Sequence, residues 1–291
     1  MITVKAPAKI NLTLDILGKR PDGYHNVAMV MQTVSLYDTV KVDFAAGEGD
    51  EIAVTCPNYP DVPCDESNIV CKAARAFYKH TEVKPRPLSI DVDKLIPTGA
   101  GLAGGSSDGA AVILALNQMY ETHLTMDEMA EICARFGSDV PFCLRGGTML
   151  ATETGTTLKK LAAMPKCFIV ICKPDISVST AEAYARCDAR PAKGFLYTDE
   201  LIKRLYSHDI RGLSTCLYNE FEQVMELEEI NEIKRAMLRE KALGASMSGS
   251  GSAVYAIFNN EKKAQSCVNI LKEKYNKVFL TQPTKIGCFI E

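Results

Sequence analysis

Alternating apolar and polar positions are the strongest pattern in the first hundred residues, and they predict β-strands. Between Ile10 and Ile16 every second residue is aliphatic, and the residues between them are polar. A period of two is typical of a strand that buries one face and exposes the other. The same alternation recurs at residues 40–44 and 88–92. The first third of the chain is therefore predicted to be mainly sheet.

Helical spacing of apolar residues, three and four apart, is more frequent in the rest of the chain. Thr125 and Glu128 match a capping box, which begins a helix that Gly137 ends. Ser179 and Glu182 cap another helix in the same way. Further helices are predicted at 67–80, from the serines at 106–107 to about Tyr120, and at 198–207, 213–226 and 229–241, with strands at 167–172 and 253–258.

These elements predict an α+β protein of two lobes, with a strand-rich N-terminal lobe, a helix-rich C-terminal lobe and a cleft between them. A glycine- and threonine-rich turn near residues 152–157 separates the two patterns. We therefore place the N-terminal domain at residues 1–155 and the C-terminal domain at 156–291. A chain of 291 residues is long enough for two such domains.

Composition and charge limit the kinds of molecule that the protein is expected to bind. A net charge of -3 and a pI near 5.9 argue against a nucleic-acid-binding surface and favour a small-molecule partner. Eleven cysteines, without a C-x-x-C pair, are predicted to be reduced and mostly buried. We find no signal-like segment and no apolar run of the length that a membrane span requires, so we expect a cytoplasmic protein that does not bind membranes. Its oligomeric state, monomer or homodimer, stays open.

A glycine-rich segment, I-P-T-G-A-G-L-A-G-G-S-S-D from Ile96 to Asp108, carries the clearest chemistry. Glycines let backbone amides approach a ligand closely, and the amides at a helix N-terminus attract anions. The segment is therefore predicted to bind phosphate. Its glycine spacing also fits a dinucleotide fingerprint, but it follows several strands and a helix rather than opening the fold. It lacks the lysine of a Walker loop, since Gly105 stands there.

Three polar residues are candidates for the reaction itself. Asp139, in G-S-D-V-P-F, follows a predicted helix and precedes Pro141, so a stiff turn would hold its carboxylate as a base. The alternative is that Asp139 only caps the next helix through its side chain. Lys9 and Asn11, two residues apart on one strand, project on the same side. The alternative for this pair is a solvated strand face.

Taken together, the motifs resemble those of the GHMP kinases. Besides the glycine loop and G-S-D-V-P-F, these are A-P-A-K-I-N-L near the N-terminus, G-K-R-P-D-G-Y-H at 18–25, L-Y-N-E-F-E at 217–222 and G-A-S-M-S-G-S-G-S-A at 244–253. The order and spacing match over essentially the whole chain. Within the family, the R-P-D-G-Y-H segment favours members that phosphorylate the 2-hydroxyl of a cytidine-diphosphate sugar alcohol in the non-mevalonate (methylerythritol phosphate) route to isoprenoid precursors.

The resemblance implies roles for individual residues. Asp139 matches the catalytic base and Lys9 its partner, whose ammonium would stabilise negative charge on the attacking oxygen. Asn11 would bind the sugar-alcohol end, while Tyr24 and His25 would meet the cytosine by stacking and hydrogen bonding and Tyr184 would close its other face. The ATP phosphates would be wrapped by Pro97, Thr98, Gly99, Ala100, Gly101, Leu102, Ala103, Gly104, Gly105, Ser106 and Ser107.

One departure from the family pattern, one expectation about the metal ion and two alternatives accompany this interpretation. Ala103 replaces a glycine that is common in the loop, which we expect to be a modest change. Mg²⁺ is expected to arrive with the nucleotide, since no carboxylate pair presents itself as a ligand set, with the Ser107 hydroxyl as one candidate ligand. The alternatives are another GHMP kinase, of mevalonate or homoserine type, and a non-catalytic nucleotide-binding sensor on the same scaffold.

Overall fold

The computed structural model describes residues 1–190 and 195–291. In this part of the chain the strands are β1 (Ile2–Lys19), β2 (His25–Phe44), β3 (Ile52–Thr55), β4 (Leu88–Asp93), β5 (Thr148–Glu153), β6 (Thr157–Lys160), β7 (Phe168–Lys173), β8 (Tyr218–Asn219), β9 (Gly244–Met247), β10 (Val254–Phe258), β11 (Lys277–Thr281) and β12 (Phe289–Ile290). The helices are α1 (Ile69–Thr81), α2 (Gly104–Met119), α3 (Met126–Ala134), α4 (Val140–Arg145), α5 (Thr180–Asp188), α6 (Tyr197–Tyr206), α7 (Ile210–Thr215), α8 (Glu220–Met225), α9 (Glu228–Arg239) and α10 (Glu261–Lys272).

The first sheet is built around the long antiparallel pair of β1 and β2. Its strand order is β12-β1-β2-β4-β3, and β5 and β6 extend from the other half of β2. Helices α1 and α2 pack together, and α2 also contacts β1 and β2. This arrangement brings the N-terminus of α2, which follows the glycine loop, close to the middle of β1.

The prediction that β1 exposes one face to water is wrong. Its polar residues Asn11, Thr13 and Asp15 are as buried as their aliphatic neighbours. The second half of the chain covers them, because the hydroxyls of Thr13 and Thr198 lie 2.8 Å apart and Asp15 Oδ2 accepts a 2.9 Å hydrogen bond from the Thr198 amide. The period of two was correct, but the polar face of this strand meets the other lobe.

The second sheet joins the two lobes through its apolar faces. Its antiparallel order is β11-β7-β10-β9, and α9 and α10 pack on it. Alternate residues of β7 and β10 belong to two hydrophobic cores, so that Val170 and Phe258 lie in one, while Ile171 and Tyr255 lie in the other beside Leu12 of β1. The predicted two-lobed α+β fold is thus confirmed, and the lobes share a core.

The proposed domain boundary after residue 155 stays a prediction. Strands β6, β8 and β12 come after that position, yet each pairs with a strand of the first sheet. The polypeptide therefore returns to the N-terminal lobe after it has formed most of the C-terminal lobe.

Most predicted helices are found within a few residues of their expected ends, but the single helix predicted at 213–226 is wrong. The segment forms α7 and α8, separated by the short strand β8. Asn219 explains the break, because its side-chain oxygen accepts hydrogen bonds from the amides of Phe221 and Glu222 and so begins α8. Apolar spacing continues through this cap, and the periodicity alone did not reveal it.

All eleven cysteines are free and nine are buried, as predicted. Burial raises the pKa of several of these thiols, among them Cys143 and Cys288 near the glycine loop, which keeps them protonated and unreactive. Among the helices in residues 1–190 and 195–291, none is long and apolar enough to cross a bilayer.

Candidate active site

The glycine loop runs from Ile96 to the start of α2 at Gly104. Gly99 and Gly101 have φ values of 58° and 73°, in the left-handed region where side chains are strained. At Gly101 there is also no space for a side chain, because a Cβ would overlap the carbonyl oxygen of Ser248. The first amides of a helix have no intrahelical partners, so the loop and the N-terminus of α2 together offer an anion-binding surface.

Ala103, the residue before α2, is more unusual than the sequence suggested. Its φ is 56°, although it carries a Cβ. A left-handed conformation is unfavourable for alanine by about 1–2 kcal/mol. The replacement of a glycine here is therefore a strained position in the phosphate loop, and the expectation of a modest change is corrected.

A second glycine-rich loop, residues 248–252, packs directly on the first. Ser248 Oγ donates a 2.9 Å hydrogen bond to the Gly101 carbonyl and accepts one of 3.3 Å from the Asn11 amide. The Ala253 amide donates to the Ala100 carbonyl at 3.0 Å. The serine- and glycine-rich spacing of this segment was visible in the sequence. Its contact with the first loop was not, because about 150 residues separate them.

Lys9, Asn11 and Asp139 come together beneath the glycine loop. Lys9 Nζ donates to Asn11 Oδ1 at 2.7 Å and lies 3.4 Å from Asp139 Oδ2. The Lys9 amide donates to the Leu102 carbonyl at 3.0 Å, which fixes this part of β1 to the loop. Lys9 and Asn11 are buried, so the alternative of a solvated strand face is wrong.

Asp139 stands at the N-terminus of α4, as the capping alternative required, but its side chain makes no capping hydrogen bond. Pro141 occupies the first turn of the helix, where no amide donor is lost. The carboxylate, 29% exposed, instead turns toward Lys9. Because it is held by a rigid helix start and remains accessible, it is placed to receive a proton from a bound hydroxyl.

Ser107, the last residue of the predicted phosphate-binding segment, makes its hydrogen bonds within the protein. It is fully buried, its hydroxyl donates a 2.8 Å hydrogen bond to the Pro7 carbonyl, and its amide donates to the Ala103 carbonyl. Contact of Ser107 with the phosphates or a metal ion stays a prediction. Its role in this structure is to attach α2 to β1.

A cavity of about 430 Å³ opens beside the loop. Residues 96–106 form one wall, and residues 62–69, before and at the start of α1, contribute to the other. Its lining is mostly apolar around Val62, Ile69 and Val92, with Asn68 and Lys94 among the polar groups. A volume of this size with few polar groups is typical of small-ligand sites.

The three residues predicted to meet cytosine are only partly assembled. The His25 ring stacks on Tyr184, with centroids 4.3 Å apart and planes at 19°, and His25 Nε2 lies 2.7 Å from Asp188 Oδ1. Burial and the negative charge of Asp139 raise the pKa of Tyr184. Tyr24 is 67% exposed and joins neither ring in a stack. A base sandwiched between the two tyrosines therefore requires His25 to move.

Comparison with known proteins agrees with this geometry. The family model described as the GHMP kinases N terminal domain matches residues 68–147, and the GHMP kinases C terminal model matches 201–277. A relative from Clostridioides difficile is 42% identical over 98% of this chain and 96% of its own length, and one from Carboxydothermus hydrogenoformans is 44% identical over 97% and 96%. The chain is a GHMP kinase.

Solved structures support the fold of this GHMP kinase. A crystal structure of 4-(cytidine 5'-diphospho)-2C-methyl-D-erythritol kinase superposes with a TM-score of 0.81 at 28% identity, covering 97% of this chain and 99% of that one. A homoserine kinase from Cytophaga hutchinsonii gives the same TM-score at 19% identity, covering 100% and 97%. The backbone alone therefore does not separate the acceptor classes of this family.

Several residues of this GHMP kinase site were not predicted from sequence. Asp188 contacts His25, and Asn219 donates two 2.8 Å hydrogen bonds to the carbonyls of Met247 and Gly249, which hold the second glycine loop. A buried group formed by Asp38, Lys94 and Asp108 lies behind the first loop. The L-Y-N-E-F-E motif contained the one usable signal, since it includes Asn219.

Proposed function

We propose that this protein is an ATP-dependent kinase that phosphorylates the 2-hydroxyl of 4-diphosphocytidyl-2-C-methyl-D-erythritol, a step of the non-mevalonate route to isoprenoid precursors. One observation carries the catalytic part of the proposal: Lys9 and Asp139 meet at 3.4 Å directly beside the glycine loop. The acceptor rests on the two relatives above, which both bear the name 4-diphosphocytidyl-2-C-methyl-D-erythritol kinase.

The reaction needs a base for the hydroxyl proton, a positive charge that stabilises the attacking oxygen, and groups that hold the triphosphate. Asp139 accepts the proton of the attacking hydroxyl while a bond forms from that oxygen to the γ-phosphorus of ATP. The bond from the γ-phosphorus to the oxygen that bridges to the β-phosphate breaks, and ADP leaves. The Lys9 ammonium stabilises negative charge on the attacking oxygen, and the loop amides hold the phosphates.

ATP fits the region around the glycine loop. The triphosphate would lie along residues 97–106, and the nucleoside would occupy the adjoining cavity bounded by residues 62–69. Mg²⁺ normally accompanies ATP in phosphoryl transfer. In the part of the chain that the structure describes, no group of three or more histidine, cysteine or acidic side chains could hold a metal ion. In this proposal the ion would be carried by the phosphate oxygens of the nucleotide.

The cytidine end of the acceptor would lie near His25 and Tyr184, across the catalytic pair from ATP. An aromatic ring offers a stacking surface to a planar base, and the imidazole offers a hydrogen-bonding edge. Asn11, whose side-chain oxygen accepts from Lys9, would meet the sugar-alcohol end. The arrangement of His25 and Tyr184 favours this acceptor over those of mevalonate or homoserine type, neither of which carries an aromatic base.

The test is an acceptor panel with the purified protein, ATP and Mg²⁺. Equal concentrations of 4-diphosphocytidyl-2-C-methyl-D-erythritol, mevalonate and homoserine are incubated separately, and ADP release and the mass of the product are followed. We expect a monophosphorylated product only from the cytidine compound. Phosphorylation of mevalonate or homoserine in its place would support the sibling kinases, while ATP binding without turnover of any acceptor would support the sensor.

A further inference from the structure

Three charged side chains are buried behind the phosphate loop: Asp38 on β2, Lys94 just after β4, and Asp108 on α2. All three are at least 95% buried as side chains. None of them belongs to the residues assigned above to the reaction. Burying ionic groups is costly, and replacing a buried ion pair with apolar residues is often neutral or stabilising. Fold stability alone is therefore a weak reason for this group to exist.

A single ammonium joins the two carboxylates. Lys94 Nζ donates to Asp38 Oδ2 and to Asp108 Oδ2, each at 2.6 Å. Burial alone would lower the pKa of Lys94, but the two carboxylates raise it, so the bridge stays cationic. Burial and the Asp38 charge raise the pKa of Asp108 well above its usual range. The protonation states of these three side chains therefore depend on one another.

The group also holds backbone at one end of the loop. Asp38 Oδ1 accepts hydrogen bonds from the amides of Leu95 and Ile96, at 2.6 and 2.7 Å. Ile96 is the first residue of the loop. The carboxylate of Asp38 therefore fixes the position at which the chain leaves β4 and enters the phosphate loop.

Asp108 fixes the other end. It lies on α2, about one turn after the helix begins at Gly104. The two ends of the loop nearly touch there, because a Cβ at Gly104 would lie 2.9 Å from Ile96 Cγ2 and 3.3 Å from Asp38 Oδ2. Lys94 thus bridges the entry and the exit of the loop, within the wall of the nucleotide cavity.

We propose that Asp38, Lys94 and Asp108 are positioning residues for ATP: they clamp the two ends of the phosphate loop so that its amides face the triphosphate. The proposal rests on the loop's function as an ATP site, but it is independent of which acceptor is used. It requires that loosening the clamp impair ATP binding selectively. The glycine backbone of the loop is intrinsically flexible, so contacts from outside the loop would help to hold it in the conformation that binds ATP.

The main test compares Lys94→Met with the double variant Lys94→Met/Asp108→Asn. The double variant keeps the formal charge of the group, since it removes one cation and one carboxylate. We expect both to raise the KM for ATP by about tenfold or more and to leave the KM for the cytidine acceptor within about twofold. Parallel increases in both KM values with a lowered Tm would indicate general destabilisation and overturn the proposal, as would an unchanged KM for ATP.

A matched pair at position 108 covers the case in which Lys94→Met fails to fold. Asp108→Asn retains an oxygen that can accept from Lys94, whereas Asp108→Leu of similar size does not. We expect Asp108→Asn to keep a near-normal KM for ATP and Asp108→Leu to raise that KM. Equal KM values for ATP in the two variants would contradict the proposed role of the contact between Lys94 and Asp108.

Hydrogen exchange without nucleotide separates positioning from direct contact. The amides of Lys9 and Ala253, which donate to loop carbonyls, should exchange faster in Asp108→Leu, while the amides that pair β7 with β10 should not change. Unaltered exchange at Lys9 and Ala253 would refute the clamp. Binding of a non-hydrolysable ATP analogue supplies the readout if wild-type protein phosphorylates no acceptor, so failure of the proposed function remains distinguishable.

Discussion

The phosphate side and the cytidine side of the site are built differently. On the phosphate side, two glycine loops are in backbone contact, Gly101 has no space for a side chain, and a buried ion group lies behind. On the cytidine side, which we propose to lie at His25 and Tyr184, the groups offered are side chains, with His25 stacked on Tyr184 and Tyr24 exposed to solvent. We therefore expect backbone geometry to hold the phosphates and a few side chains to select the acceptor.

The largest effect is expected where the two sides meet. Asp139→Asn removes the base with little change in shape, so kcat should fall by about 10²–10⁴-fold while the KM for ATP changes little. Initial rates of ADP release measure this. Asp127→Asn is the matched control, because Asp127 pairs with Arg145 of the same helix α4 from an exposed position, and its rate should stay near wild type. A normal kcat for Asp139→Asn would remove this residue from the mechanism.

The next largest effect tests the claim that backbone geometry defines the phosphate side. Gly101→Ala places a Cβ against the Ser248 carbonyl in addition to its left-handed strain, so we expect a loss of about 3 kcal/mol in unfolding free energy or a loss of ATP binding. Gly99→Ala is the control, because Gly99 has positive φ but no atom near its missing Cβ, and it should lose only about 1 kcal/mol. Similar losses in the two variants, by denaturant titration, would show that the contact between the loops is unimportant.

The cytidine side is tested by Tyr184→Leu. Loss of a stacking ring should raise the KM for the cytidine acceptor by about tenfold, with the KM for ATP unchanged, and Tyr184→Phe should restore it. Tyr206→Leu, at an exposed position on α6, provides the control. If Tyr184→Leu weakened ATP binding instead, the division of the site into two sides would be wrong.

The smallest effect concerns Ala103. Ala103→Gly relieves a left-handed alanine, and we expect a gain of about 0.5–1 kcal/mol in unfolding free energy despite the greater freedom of the unfolded chain. Ala76→Gly, in the middle of α1, should show the opposite sign, a loss of about 1 kcal/mol. Destabilisation by both substitutions in thermal unfolding would mean that Ala103 is not strained.

The same contrast explains what the sequence could predict. Local signals predicted where helices begin: the Thr125 capping box begins α3, and the glycine-rich segment leads into α2, which begins at Gly104, two residues before Ser106. Contacts between distant residues were not predictable. The polar face of β1 is buried by the other lobe, and in the proposed clamp Lys94 binds Asp38 and Asp108, which are 56 and 14 residues away from it in sequence. No periodicity or spacing encodes such contacts.

The order and spacing of several motifs predicted Lys9 and Asp139 as catalytic residues, although each residue taken singly was ambiguous. Lys9 fitted a solvated strand as well as an active site, and its burial excludes the solvated strand. Asp139 fitted a helix cap, and the absence of a capping hydrogen bond from its side chain decided that question. The position of Tyr24 relative to His25 and Tyr184 depends on side-chain conformations, which adjacency in sequence does not determine.

The account depends on Asp139 and Lys9 meeting the acceptor hydroxyl beside the γ-phosphate. The most direct measurement is a crystal structure of the protein with a non-hydrolysable ATP analogue and 4-diphosphocytidyl-2-C-methyl-D-erythritol. We predict the triphosphate along residues 97–106 and the 2-hydroxyl oxygen about 2.6–3.2 Å from an Asp139 carboxylate oxygen. A complex in which that hydroxyl contacts neither Asp139 nor Lys9, with both ligands fully bound, would contradict the account.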